Sequence, residues 1–374
     1  MNELQRFMNC LDYKPVDCCP NHELGVWPQT VERWRHEDPA AIEAFAWNWF
    51  VAEDPIHLDR REYIPVNYDF IPHFGWEVLE ETPEYEIVRN HKGIVTKGLK
   101  EGTVGGGRMC MDQYLEFPVR NPEDFSQIKK RLVAAIPERY PADLDNQIST
   151  WKKRDFPLVL GTNCAANGFY WRAREFMGTE ALSYAWYDMP DMMHDMMEFY
   201  ADFIIETSRP VLEKINVEYF VLNEDLSMKT GPLLSPETYR KFVLKHLKRL
   251  VEFMKSHGVR YIAVDTDGDP TPLIPMFLEG GVDILWPLER ASNVDPNRIR
   301  ALFGTDLRLW GGVDKRVLPH GREAIRSHLL AMAPLIEEGG FIPTIDHTVP
   351  PDVSWDNFRD YMDLKMMLLS GDLK

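Results

Sequence analysis

The densest group of ionisable residues is AVDTDGDP at residues 263–270, where Asp265, Asp267 and Asp269 occupy every second position. Such spacing could open a calcium loop. An EF-hand needs a helix before it and a glutamate at position twelve; here an apolar β-rich run precedes, and Met276 stands at that position, which excludes the motif. Asp265 and Asp267, two apart at the end of a strand, should point the same way. With Glu224 and His347 they could form an oxygen-rich site for a divalent metal. The same four residues could instead move protons, since a histidine or carboxylate at a strand end can serve as general acid or base. The plainer reading makes the aspartates turn and cap residues before a helix near Thr271, and His347 a ring bonded to its own loop. His22, Glu23, Asn163 and Glu289 also follow apolar runs and could contact a substrate. Lys315 and Arg316, in GGVDKR, could bind an anionic group or simply pair with Asp314.

These residues need a frame that gathers strand ends. Short apolar β-rich runs occur at 158–161, 219–222, 261–264, 282–285, 307–310 and 341–345, with two more expected at 16–23 and 47–54. Amphipathic helical segments lie between most of them. Residues 235–257 show the pattern: Ser235 as N-cap, Pro236 in the first turn, apolar residues at the helical period, and Gly258 as the stop. The unit recurs at 295–303 and 322–338. Alternating strands and helices imply parallel strands with crossover helices, and eight strands close a (β/α)8 TIM barrel. An open doubly wound sheet would carry GxGxxG after its first strand, and the sequence there is GVWPQT. The glycine-rich stretch at 102–107 has no helical pattern after it and reads as a loop. Residues 61–102 alternate around the turn sequence NHKG, predicting an antiparallel β-insertion after barrel strand two, within a single domain over 1–374. In such a barrel the reactive groups lie at the C-terminal strand ends, where every position listed above falls.

Composition narrows the function classes. The net charge of −17 argues against nucleic acid and anionic membranes as partners. Five cysteines with no CxxC indicate neither a redox pair nor a zinc ribbon, and free thiols fit a cytoplasmic protein. The N-terminus has the charge pattern of neither signal peptide nor membrane anchor. The aromatic segment FAWNWF could serve a homodimer.

Four segments together, EDLSMKTGPLLSPETYRKF, VDTDGDP, WGGVDKRVL and GGFIPTIDHTVPPDVSWDNF, resemble the uroporphyrinogen decarboxylase superfamily, best from about residue 155 onward. The resemblance implies a (β/α)8 barrel and one of two activities. Decarboxylation of uroporphyrinogen relies in that family on paired arginines after strand one; PNHELGVWPQTVERW lacks both, and Arg33 falls later, in a helix. Methyl transfer with corrinoid proteins or coenzyme M relies on zinc held by His-x-Cys-Gly at strand five and a cysteine at strand eight. The corresponding positions here read Asp265-Thr266-Asp267-Gly268 and Asp346 or His347. The resemblance therefore implies the methyltransferase component of a corrinoid-dependent system, moving a methyl group from a small methylated substrate. Glu224, Asp265, Asp267 and His347 would hold zinc or another divalent metal, or act as acid and base. Lys315 and Arg316 would orient the substrate. No DxHxxG corrinoid motif occurs, so a small partner protein would carry the corrinoid. The alternatives are a metal-free decarboxylase or lyase of a small carboxylic acid, and a non-catalytic barrel that binds a small molecule.

Overall fold

The computed structural model describes residues 1–40, 57–161 and 168–373. Seven strands form one curled parallel sheet: β1 (Glu62–Tyr63), β6 (Leu158–Gly161), β7 (Tyr219–Asn223), β10 (Tyr261–Asp265), β11 (Ile284–Trp286), β12 (Arg308–Trp310) and β13 (Phe341–Ile342). They pair in chain order, each parallel to its neighbour. A second sheet is antiparallel, in the order β2 (Glu77–Glu81), β3 (Tyr85–Arg89), β4 (Val95–Leu99) and β5 (Gln113–Glu116). A small hairpin, β8 (Ser227–Met228) with β9 (Gly231–Pro232), follows β7.

Strand alternation divides the core. Val159, Tyr219, Val221, Tyr261, Ala263, Ile284, Trp286, Trp310 and Ile342 face inward and form one cluster inside the curl. Their neighbours Leu158, Leu160, Phe220, Leu222, Ile262, Val264, Leu285 and Leu309 face outward and pack beneath the helices. The helix Glu3–Leu11 plugs the interior, with the Phe7 ring stacked on Tyr219 at 5.4 Å and near Trp310 at 5.8 Å. Truncating such a fully buried aromatic side chain costs about 3–5 kcal/mol.

Among the described residues the parallel sheet has seven strands and does not close into the expected (β/α)8 barrel. Residues 16–23 form no ladder strand, and residues 47–54 lie outside the described residues. The segment 19–26 bonds to residues before β1 and after β13. The Asn21 carbonyl accepts from the Asp59 N–H at 2.8 Å, while Val26 forms an isolated parallel bridge with Val349. The insertion expected over 61–102 is also shifted. Residues 62–63 join the parallel sheet, and the antiparallel sheet runs from Glu77 to Glu116. Two helices differ as well. The helix after Ser235 breaks at Val243, and that over 322–338 divides into Arg322–Leu330 and Ala333–Glu338, with Pro334 in the first turn of the second piece. The N-caps Ser235, Asp295 and Ser354 accept backbone N–H bonds as their types predict. No described helix is long and apolar enough to cross a membrane.

Candidate active site

The inward parity of β7 and β10 continues to their C-terminal ends. Tyr219 and Val221 face inward, so Asn223 does too; Tyr261 and Ala263 face inward, so Asp265 does too. The two meet across the ladder, where Asn223 Nδ2 donates to Asp265 Oδ2 at 2.7 Å. Beyond β10 the chain turns sharply. Gly268 has φ +76°, and a Cβ there would fall 2.5 Å from the Ser227 carbonyl of the hairpin. The hairpin holds this turn further through the Asp269 N–H, which donates to the Met228 carbonyl at 3.0 Å. The turn places Asp267 Oδ2 3.4 Å from His347 Nε2, and the other ring nitrogen of His347 bonds Thr348 Oγ1 at 2.9 Å. The loop carrying His347 is tied to residues 25–30: the Val349 N–H donates to the Gly25 carbonyl, and Thr30 Oγ1 donates to the Val349 carbonyl.

Further charges surround this pair. Asp225, in a left-handed conformation at φ 38°, accepts from Arg174 at 2.6 Å. Glu289 accepts from the Gly268 N–H and from Ser292 Oγ, each at 3.0 Å, and lies 3.9 Å from Lys315 Nζ. Burial, reinforced by the charge of Asp267, pushes the Asp265 carboxyl up to about 7. Burial also raises Asp225, although Arg174 opposes it. Burial works against an imidazolium at His347, but Asp267 outweighs it and lifts the ring above the ordinary histidine range. A carboxyl that holds its proton near neutral pH, beside an imidazole that is readily protonated, can give or take a proton at a bound substrate.

Asp265, Asp267, His347, Glu289 and Lys315 thus share one mouth. Other expected residues do not reach it. Glu224 faces away and accepts from the backbone N–H groups of Phe169 and Tyr170, at 3.0 and 2.7 Å, clamping the start of the helix Phe169–Met177. His22 is buried inside the curl between Phe7 and Trp310, where burial keeps its ring neutral. Glu23 is buried too, accepting from Tyr361 Oη, Lys365 Nζ and the Ile345 N–H. Arg316 folds back on Asp314. Asp346 accepts from the backbone N–H groups of Arg290 and Lys315. Asp269 caps its own turn by accepting from the Thr271 N–H, the plainer reading of that aspartate. Asn163 lies outside the described residues.

The expected metal ligands are only partly gathered. Asp265 gives an oxygen to Asn223 and Glu224 is committed to the helix start. Among the described residues no group of three or more His, Cys, Asp or Glu is arranged to hold an ion. One residue of the mouth, Asn223, escaped the sequence reading as a site group. Strand parity could have found Asn223 and rejected Glu224. The pairing of Asp225 with Arg174 depends on the helix Phe169–Met177 docking over the end of β7. Gly168 permits that approach, since a Cβ there would lie 2.2 Å from the Asn223 carbonyl.

The profile of the family described as uroporphyrinogen decarboxylase (URO-D) matches residues 173–365, just over half the chain. A uroporphyrinogen decarboxylase of Gloeobacter violaceus is 24% identical over 184 residues, 46% of this chain and 48% of that protein. The chain therefore spans about half the length of that relative. A methyltransferase from Methanosarcina mazei superposes with a TM-score of 0.60 over 98% of each chain, at 14% identity. At that identity the likeness shows a shared fold.

Proposed function

The chain belongs to the uroporphyrinogen decarboxylase (URO-D) family, and from that premise we propose that it is the methyl-transferring component of a corrinoid-dependent system. The fold shared with a methyltransferase along nearly its whole length supports this reading. The observation that carries it is the mouth itself: Asp225, Asp265, Asp267 and Glu289 converge there. A porphyrinogen bearing many carboxylates would be repelled by them, whereas a small methylated compound would not. A corrinoid carried by a partner protein would supply the nucleophile that accepts the methyl group. The residues of this chain bind the donor and manage its proton. As the bond from methyl to heteroatom breaks, the electron pair stays on the heteroatom. Asp265 in its acid form, or protonated His347, can place a proton there. Lys315, which reaches Glu289 only at 3.9 Å, can orient the rest of the substrate.

The test is spectroscopic. Purified protein, free cob(I)alamin and a panel of small methyl ethers and methylamines should give methylcobalamin absorbance. Asp265→Asn and His347→Gln should each lower the rate about 10²-fold or more, as loss of a general acid does. If no donor yields methylcobalamin and a small acid instead releases carbon dioxide, the chain is a metal-free decarboxylase acting through the same two residues.

A further inference from the structure

The helix Glu3–Leu11 ends in a reversal. Tyr13, in a left-handed conformation at φ 57°, turns the chain, and the Lys14 N–H donates back to the Asn9 carbonyl at 2.9 Å. The returning segment carries Cys19 to Cys10. Both residues are 3% exposed, and both thiols donate to one atom, the Phe341 carbonyl oxygen, at 3.4 Å from Cys10 and 3.3 Å from Cys19. Main-chain bonds hold each of them separately. The Gly340 N–H donates to the Cys10 carbonyl at 2.7 Å, and the Cys19 N–H donates to the Leu369 carbonyl at 3.0 Å. The spacing of the cysteines gives no sign of a pair; the fold makes it.

A buried cysteine is often no more than a small apolar side chain. Two thiols on one acceptor beside a cavity go further. Cys10, Cys18 and Cys19 together line a space of about 440 Å³, walled also by Tyr13, Ile336 and Leu369. Cys18 there is half-buried. Burial, and after it the bond with the Cys10 thiol, holds the Cys19 thiol well above the usual range, while the buried Lys365 ammonium opposes that shift. The pair is therefore kept as thiols at rest, with a cation nearby to favour the thiolate that reaction needs.

We propose that Cys10 and Cys19 form a redox-modification site, closed to a disulfide by hydrogen peroxide entering this cavity. One thiolate attacks a peroxide oxygen. The O–O bond breaks, the sulfur becomes a sulfenic acid, and the leaving hydroxide takes up the thiol proton as water. The second thiolate attacks the sulfenic sulfur, the S–S bond forms, and the sulfenic oxygen leaves as a second water. Two thiols are oxidised and one peroxide is reduced to two waters. The new bond closes the loop from Cys10 to Cys19 and staples the plugging helix to the segment 19–26.

The reduced full chain is treated with hydrogen peroxide, remaining thiols are blocked with N-ethylmaleimide in denaturant, and unreduced peptides are mapped by mass spectrometry. The expected result is a single Cys10–Cys19 link, with Cys18 and Cys110 alkylated. The oxidised chain should melt about 3 °C above the reduced one, and dithiothreitol should reverse the shift. Cys110→Ser, at an exposed position, should leave link and shift intact, and Cys19→Ala should remove both. The map of the unsubstituted chain decides the matter even where Cys19→Ala folds poorly. The same treatment in urea should scramble the pairing, because the fold no longer selects it. Complete alkylation of Cys10 and Cys19 after peroxide overturns the proposal. So does a link through Cys18 in place of either, a sulfinic acid at Cys10 or Cys19 with no link, or the same mixture of links with and without urea.

Discussion

Asp265 has the most consequential surroundings of any single residue. Its ordinary value of 3.8 is raised to about 7 by burial and by Asp267. The folded protein therefore binds this proton more tightly than the unfolded chain does. The stability that this proton confers is complete below about 4 and is lost as pH rises through 7. Asp265→Asn cannot ionise and can still accept from Asn223. It should match the wild type near pH 4 and exceed it by about 1–2 kcal/mol at pH 8. Thermal melts of both proteins across that range provide the check, and a gap that does not widen with pH would rule out the raised carboxyl. Removing a functional group would then stabilise the fold, as expected where a site stores unfavourable charge.

Elements decide which residues can reach the mouth. The helix Phe169–Met177 carries Tyr170 and Arg174, and its first turn is held by the Glu224 carboxylate. A carboxylate at a helix N-terminus satisfies otherwise unpaired N–H groups and suits the helix dipole. Burial nevertheless raises Glu224 to about 7, so the clamp operates close to its protonation point. Glu224→Ala strands two buried donors and should cost about 1–3 kcal/mol of stability, read from denaturant midpoints. Glu224→Gln keeps an acceptor and should cost less. Equal losses in the two variants would mean that the side chain is only filling space. Residue type alone marked Glu224 as a site group; its position in the strand alternation sends it outward, to structural work.

Across the whole molecule, the first and last parts of the chain are bonded to each other. Glu23 accepts from Tyr361 and Lys365 of the final helix, Trp355–Leu369, and from the Ile345 N–H beyond β13. Lys365 is 0% exposed, so its charge is viable only beside Glu23. Burial lowers its pKa, and Glu23 opposes that shift. Lys365→Met leaves a buried carboxylate without its counterion and should cost about 3–5 kcal/mol. Adding Glu23→Gln should recover much of the loss, because the pair is desolvated as a unit. Calorimetric melting of the two single variants and the double variant tests this, and simple additivity would exclude the coupling.

The sequence by itself determined the alternation of strands and helices after residue 150, the caps at Ser235 and Asp295, the turn before Gly93, and the gathering of Asp265, Asp267 and His347. These follow from local causes: hydrophobic period, cap chemistry, and the rule that strand ends share one face. Only the tertiary structure decided that Glu23 and His22 belong to the interior, that residues 62–63 join the sheet, and that Arg174 joins the mouth. Each depends on partners far away in the chain: Glu23 with Lys365, His22 with Trp310, Arg174 with Asp225. A polar residue after an apolar run has the same sequence signature whether it meets substrate, a helix end or a buried lysine. The choice is made by burial and by which donors the fold brings within hydrogen-bond reach.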